Sequence, residues 1–341
     1  MSAESSASAA ESSPARAAAP LRRAAIVGAG RMGVGIAESF LTEGLEVTVV
    51  DVTPEQTHGS RDRLVERMRA HAQAGLIDPA AARRAEDVRV ATEIRAAVGD
   101  VDLVVEAVTE DVDVKRDVLS QCDEAAPDDA IIASNTSSLD INVLSEFVAR
   151  PQRFLGMHWF NPPEWTPGVE VIPAESTEPE IVARVVDLLR SIGKRPSVVS
   201  SSVGFIANRL QMALFCEAAR CVEEGLATPR DIDEVVRSCF GFRLPYFGPF
   251  QIADMAGLDV YQAVIEQHQQ GLGGRFGVPD ALRSLVSEGR FGTATGGGFY
   301  DYAPGSPDGI LVERDRRYAA LSELLKNEPP VEFDGGDGNR R

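Results

Sequence analysis

This 341-residue chain holds little that points to metal, disulfide, membrane or nucleic acid. Its four cysteines, Cys122, Cys216, Cys221 and Cys239, include no CxxC pair and no Cys/His cluster at zinc-ligand spacing. That argues against a metal centre and leaves reduced thiols in a cytoplasmic protein, mostly as core filler. No apolar run approaches the ~20 residues of a membrane span. Basic residues are in deficit: 34 Lys and Arg stand against 52 Asp and Glu, a formal net charge of −18. Such a surface argues against nucleic acid, whose phosphates need a basic footprint, and against anionic membranes. It does not exclude an anionic small molecule, whose binding follows the local field. Residues 1–20 are mostly Ser and Ala and lack an apolar h-region, so they read as neither a secretory signal nor a transit peptide. Residues 1–21 are expected to be a disordered tail, and the end VEFDGGDGNRR likewise. No internal repeat is present.

Hydrophobic content of 44% and charged content of 25% are ordinary for a globular protein, and the length suggests two domains. Between Arg22 and residue 201, short β-rich runs alternate with helical patterns. The runs are AAIVG, LEVTVV, VRVA, VDLVVEAV, AIIAS, FLGMHW, VEVIP and SVVS, several continuously apolar, as strands buried on both faces must be. The alternation predicts an α/β fold with a Rossmann-type, doubly wound, mainly parallel sheet. From 202 to 302 the pattern is all-helical, beginning with Ile206, Leu210, Leu214, Ala218 and Val222 at helical spacing. Thr228 and Pro229 mark another helix start. Residues 303–341 form a tail with one helix expected over 313–326.

The first strand runs into GAGRMGVGIAESF. Gly28, Gly30 and Gly33 form G-x-G-x-x-G between a strand and a helix, where a pyrophosphate can meet the helix N-terminus. Arg31 and Met32, inside the motif, are counted with the cofactor-binding residues. Asp51 ends the second strand 18 residues after Gly33. A carboxylate there accepts hydrogen bonds from an adenosine ribose and repels a 2′-phosphate, which favours NAD over NADP. The bland alternative is a glycine-rich turn followed by a surface Asp.

In GMHWFNPPEWTPGVEVIP, His158 ends one strand-like run and Glu170 lies in the next. An NAD site needs a group that takes a proton as hydride leaves carbon, and His suits this near neutral pH. A carboxylate on the far ring nitrogen fixes the tautomer and stabilises the imidazolium. Taken singly, each residue has a duller reading: a packed core His and a solvated strand Glu. His58, His71 and His268 lack such context and read as surface residues.

GAGRMGVGIA, DLVVEAVTEDVDVK, SNTSSL, GMHWFNPP…VEVIP, GFIANRL, GPFQIADMAGLD and TGGGFYDY occur in this order. Together they resemble the L-3-hydroxyacyl-CoA dehydrogenase family over residues 22–302. The resemblance implies NAD-dependent interconversion of a short (3S)-3-hydroxyacyl thioester, such as 3-hydroxybutyryl-CoA, and its 3-keto compound, within fatty acid metabolism. It assigns His158 as general base and Glu170 as its partner. Ser137 lies near substrate oxygen and nicotinamide, and Asn208 hydrogen-bonds the reacting oxygen. Glu110, Lys115 and Asn161 match positions at the cofactor or its ribose; otherwise Glu110 and Lys115 are a surface pair. The helix SRDRLVERMR matches a region that contacts CoA, through Arg61 and Arg67, though a solvated helix face fits it equally.

Some positions depart from the family pattern. Glu164, Trp165 and Pro167 stand in the turn between His158 and Glu170, Val203 precedes GFIANRL, and FGTAT replaces a segment that often carries lysines. These leave open a small polar hydroxy acid or alcohol without CoA as substrate. A nucleotide-binding sensor or structural protein is the non-enzyme alternative, against which the intact set His158, Glu170, Ser137 and Asn208 stands. The long apolar helices of the second domain predict a homodimer.

Overall fold

The computed structural model describes residues 20–51, 54–303 and 305–328. The first unit, through Phe215, is built on eight strands: β1 (Arg23–Val27), β2 (Glu46–Val50), β3 (Arg89–Ala91), β4 (Leu103–Glu106), β5 (Ile131–Ser134), β6 (Phe154–Trp159), β7 (Gly168–Pro173) and β8 (Arg195–Val198). They form one sheet in the order β3-β2-β1-β4-β5-β6-β7-β8. Every neighbouring pair is parallel except β6–β7.

The apolar runs follow from burial on both faces. On β1, Ala24 and Ile26 enter one core while Ala25 and Val27 enter the other. The first core is completed by α1 (Arg31–Thr42), α2 (Pro54–Gln73) and α7 (Pro179–Ser191), through residues such as Phe40, Met68 and Leu189. The second is completed by α4 (Ile94–Val98), α5 (Val112–Ala125) and α6 (Ile141–Ser145), through Val98, Leu119 and Leu144. A short α3 (Pro79–Arg84) follows α2. The chain winds outward from β1 in both directions, to β2 on one side and β4 on the other. A crevice therefore opens beyond the carboxyl ends of these strands, where ligands gather in such sheets.

The long helix α8 (Ala207–Glu223) contains the division between the two compact units, at Phe215/Cys216. The change in sequence pattern comes earlier, at 202, because a continuous hydrogen-bonded helix crosses the division. The second unit holds α9 (Pro229–Ser238), α10 (Pro249–Ala256), α11 (Leu258–Leu272), α12 (Asp280–Ser287) and α13 (Ser306–Asn327). Thr228 caps α9 in a reciprocal capping box with Asp231, and Pro229 stands in its first turn. Buried Asp254 ties down the 299–302 segment by accepting from Phe299 N, Tyr300 N and the Tyr302 hydroxyl. The last helix begins seven residues earlier than the sequence suggests, at Ser306 rather than 313.

Two expectations are corrected. Only Cys122 is buried; Cys216 and Cys239 are exposed and Cys221 is half-buried, so the cysteines are not mainly core filler. His71 is no free surface residue: its Nδ1 lies 2.6 Å from Oε1 of the buried Glu38. His268 is exposed and its Nδ1 donates to Val264 O of its own helix. The side chain of His58 and the outer parts of both tails lie outside the described residues.

Candidate active site

The glycine loop joins β1 to α1. Gly28 has φ +106°, and a Cβ there would lie 2.6 Å from the Ala107 carbonyl carbon; at Gly33 it would lie 1.9 Å from Gly28 O. Both positions are closed to any side chain. Gly30, by contrast, would meet nothing within 4 Å, so open space lies before the first turn of α1, which it caps. A pyrophosphate fits that space and the unpaired N–H groups facing it. Asp51 Oδ2 accepts from Ala29 N at 2.8 Å, which anchors the loop as well as presenting a carboxylate. Asp51 lines a cavity of about 470 Å³ with Val27, Gly28, Val50, Ile94 and Val108. Arg31 is exposed at the start of α1, and Met32 faces a second groove.

That second groove, about 640 Å³, is lined by Glu110, Ser137, His158, Asn161, Thr166 and Asn208 among others. Val108 lines both cavities, so the two adjoin at this residue. The β6–β7 register sets His158 directly opposite Glu170. His158 Nδ1 lies 2.8 Å from Glu170 Oε2, and both side chains are buried. An ionised carboxylate only accepts, so a neutral imidazole here carries its proton on Nδ1 and leaves the Nε2 lone pair to the groove side. Glu170 Oε1 accepts from Ile206 N at 3.0 Å and Ala207 N at 2.9 Å. One carboxylate therefore braces the imidazole and holds the start of α8, which carries Asn208.

Behind the groove lies an internal polar network. Glu110 Oε1 accepts from Thr136 Oγ1 at 2.6 Å, Ser137 N at 2.9 Å, Ser138 N at 3.0 Å and Ser138 Oγ at 2.9 Å. Burial pushes the Glu110 carboxyl up, but these donors and the Lys115 cation outweigh it and hold it below the usual carboxylate range. Asn208 Nδ2 donates to Ser137 O at 3.3 Å. Lys115 is fully buried, which corrects the reading of a surface pair: its Nζ donates to Glu106 Oε1 at 2.6 Å and lies 3.4 Å from Glu110 Oε2. Lys115 does not line the groove, whereas its partner Glu110 does. Buried Glu106 also accepts from Ser134 Oγ at 2.5 Å and Val108 N at 2.8 Å.

The expected phosphate-binding arginines are turned to other partners. Arg61 Nη2 donates to Glu86 O at 2.5 Å. Arg67 Nε lies 2.7 Å from Glu38 Oε2, and its Nη2 pairs with Glu164. Two acids have captured the Arg67 charge, and a main-chain carbonyl holds Arg61.

Several residues of the site escape sequence reading. Phe160 and Phe205 flank the His158 ring at centroid distances of 4.4 and 5.5 Å. Phe205 holds φ +48° while fully buried, a left-handed backbone that its packing must sustain. Glu106 had one visible signal, a charge ending an otherwise apolar strand.

A sheet whose winding reverses at such a glycine loop, with a braced imidazole facing the adjoining groove, belongs to the NAD-dependent dehydrogenases. Comparison with known proteins narrows the class. The family description "3-hydroxyacyl-CoA dehydrogenase, NAD binding domain" matches residues 23–202, and the corresponding C-terminal domain matches 204–302. The chain belongs to the 3-hydroxyacyl-CoA dehydrogenase family. It is 36% identical over 307 residues to the 5-formyl-3-hydroxy-2-methylpyridine 4-carboxylate 5-dehydrogenase of Mesorhizobium japonicum, covering 90% of this chain and 99% of that one. It is 34% identical to the 3-hydroxybutyryl-CoA dehydrogenase of Mycobacterium tuberculosis, covering 83% and 99%. Among solved structures, the 3-hydroxyacyl-CoA dehydrogenase of Archaeoglobus fulgidus aligns with a TM-score of 0.73 at 30% identity, covering 90% and 98%. The crystal structure of the pyridine dehydrogenase, described as an NAD+-dependent dismutase, aligns at 0.68 and 36% identity, covering 90% and 99%.

Proposed function

We propose that the protein oxidises the hydroxyl of a short (3S)-3-hydroxyacyl thioester to the 3-keto compound, or runs the reverse reaction, with His158 as the proton-handling group. The 2.8 Å contact between His158 and Glu170 at the wall of the groove carries this reading. His158 Nε2 takes the hydroxyl proton, and the imidazolium so formed is stabilised through Nδ1–H by Glu170. Ser137 and Asn208 orient the reacting oxygen and stabilise charge on it. Gly28, Gly30, Gly33 and Asp51 hold the adenosine and pyrophosphate portions of NAD, and Glu110 and Asn161 the nicotinamide end. Bound NAD supplies the acceptor for the hydride that leaves the carbinol carbon.

A second reading, a small polar hydroxy compound without CoA, is favoured by one observation. Arg61 and Arg67, which a CoA phosphate would need, are committed to Glu86 O, Glu38 and Glu164. The Mesorhizobium relative, named for a substituted pyridine carboxylate, supports the same alternative. Growth of the NADH absorbance with 3-hydroxybutyryl-CoA, free 3-hydroxybutyrate and hydroxymethylpyridine carboxylates decides between them. Turnover of the thioester alone upholds the first reading, turnover of a free acid alone upholds the second, and turnover of none refutes both.

The reading extends to a cytoplasmic homodimer. Among the described side chains of α8 none is buried, and Leu210, Leu214 and Phe215 are exposed, an apolar stripe that a second copy would cover. A monomer mass by light scattering would refute it.

A further inference from the structure

The 161–167 turn is seated against α1 and α2, beside the glycine loop, by a set of side-chain contacts. Lys194, buried just before β8, donates its Nζ to Pro163 O at 2.6 Å, Thr166 O at 3.0 Å and Glu164 O at 3.3 Å. From α1, the Ser39 hydroxyl shares its one proton between Gly35 O at 3.0 Å and Pro163 O at 3.3 Å. Gly35 of α1 leaves the turn no slack: a Cβ there would lie 2.5 Å from the Pro163 ring and 2.7 Å from Glu164 Oε2. Arg67 of α2 then stands between Glu38 of α1 and Glu164 of the turn, and the two carboxylate side chains are only 1% and 8% exposed. The N–O separations are those of ion pairs, yet Glu38 Oε2, Glu164 Oε2 and Arg67 Nη2 are buried without geometrically sound hydrogen bonds. Glu38 also has His71 Nδ1 at 2.6 Å from its Oε1, so it is Glu164 that depends most on its pairing with Arg67. A buried acid–guanidinium–acid relay is a poor source of stability compared with apolar packing, so its use lies in holding one arrangement.

The turn delivers Asn161 and Thr166 to the wall of the groove that holds His158. We propose that Glu164 is a positioning residue: through Arg67 it locks this wall to α1, the helix that opens at the cofactor loop, and so determines which substrates fit. Cofactor loop and substrate wall thereby share one rigid support. The part that concerns substrates rests on the dehydrogenase reading above; the seating of the turn does not.

The test compares Glu164→Ala and Glu164→Gln with Gly35→Ala, which displaces the turn without removing a charge. Each variant is expected to raise the KM of the best hydroxy substrate about tenfold while kcat stays within about threefold, the mark of lost positioning rather than lost chemistry. Affinity for NADH, read by fluorescence titration, falls by no more than about threefold, less than the rise in substrate KM, because the glycine loop is untouched and only Asn161 of the turn shifts. Amide exchange at Trp165 and Thr166, whose N–H groups donate to Pro162 O, accelerates in all three variants. Unchanged exchange together with unchanged KM in the folded variants overturns the proposal, as does an equal fall in kcat with KM unmoved. If the wild type oxidises none of the panel substrates, the dehydrogenase reading fails while the exchange measurement still decides whether Glu164 seats the turn.

Discussion

Replacing Glu170 by glutamine isolates the work of one carboxylate. Its Oε2 faces His158 Nδ1 at 2.8 Å while Oε1 accepts two backbone N–H groups, from Ile206 and Ala207. An amide has one acceptor oxygen. If that oxygen serves the two N–H groups, the NH₂ faces Nδ1, and the imidazole must carry its proton on Nε2, where it cannot act as a base. If the oxygen serves Nδ1–H instead, the NH₂ meets two donors and both backbone hydrogen bonds are lost, at about 1–2 kcal/mol each. The unproductive tautomer is therefore preferred by about 2–4 kcal/mol, which leaves roughly one molecule in 30 to one in several hundred competent. Glu170→Gln should lower kcat by about that factor, with a melting temperature close to wild type because the α8 contacts survive. Steady-state NADH production and differential scanning fluorimetry measure both quantities. A variant that keeps kcat within about threefold of wild type would refute the tautomer argument.

Other perturbations probe the supports of the site. Asp51→Ala removes the acceptor of Ala29 N and the carboxylate proposed for the ribose, so the KM for NAD should rise and the preference over NADP shrink; an unaltered ratio counts against the proposed role. Lys115→Met leaves Glu106 buried without its cation and should cost about 3–5 kcal/mol in urea unfolding. A near-neutral result would mean that Glu106 is held by its other donors alone. Glu110 is more acidic folded than unfolded, so the unfolded chain takes up its proton first. Its contribution is complete above the ordinary carboxylate pKa of ~4.3 and is lost as pH falls through that value toward the lower folded one. The stability gap between wild type and Glu110→Gln should therefore close on acidification, and a gap that widens would reverse the sign.

Much of the architecture was legible because its signals are local. A strand buried on both faces has to be apolar along most of its length, as β1 and β5 are, and each of the eight β-rich runs overlaps a strand of the sheet, although the edge strands β3 and β8 are largely unburied. The G-x-G-x-x-G motif declared itself because two of its positions admit no Cβ and the third must leave space for a ligand. Long-range pairing was not legible. Arg67 looked like a phosphate ligand because nothing in SRDRLVERMR announces that Glu38 and Glu164, 29 residues before it and 97 after, converge on it. Lys115 reads as a cofactor-binding residue or a surface lysine, because no local pattern announces its burial against Glu106, and His71 was passed over although Glu38, 33 residues away, reaches it.

By itself, the sequence determined the order of strands and helices, the cofactor loop and the identity of the residues fit to handle a proton, since each depends on periodicity or on the chemistry of a side chain. Only the tertiary structure decided which charges meet: the β6–β7 register put His158 against Glu170, and the packing of α1, α2 and the 161–167 turn put Arg67 between two acids. Ion pairs and hydrogen bonds act over a few ångströms, and distance along the chain carries no record of them.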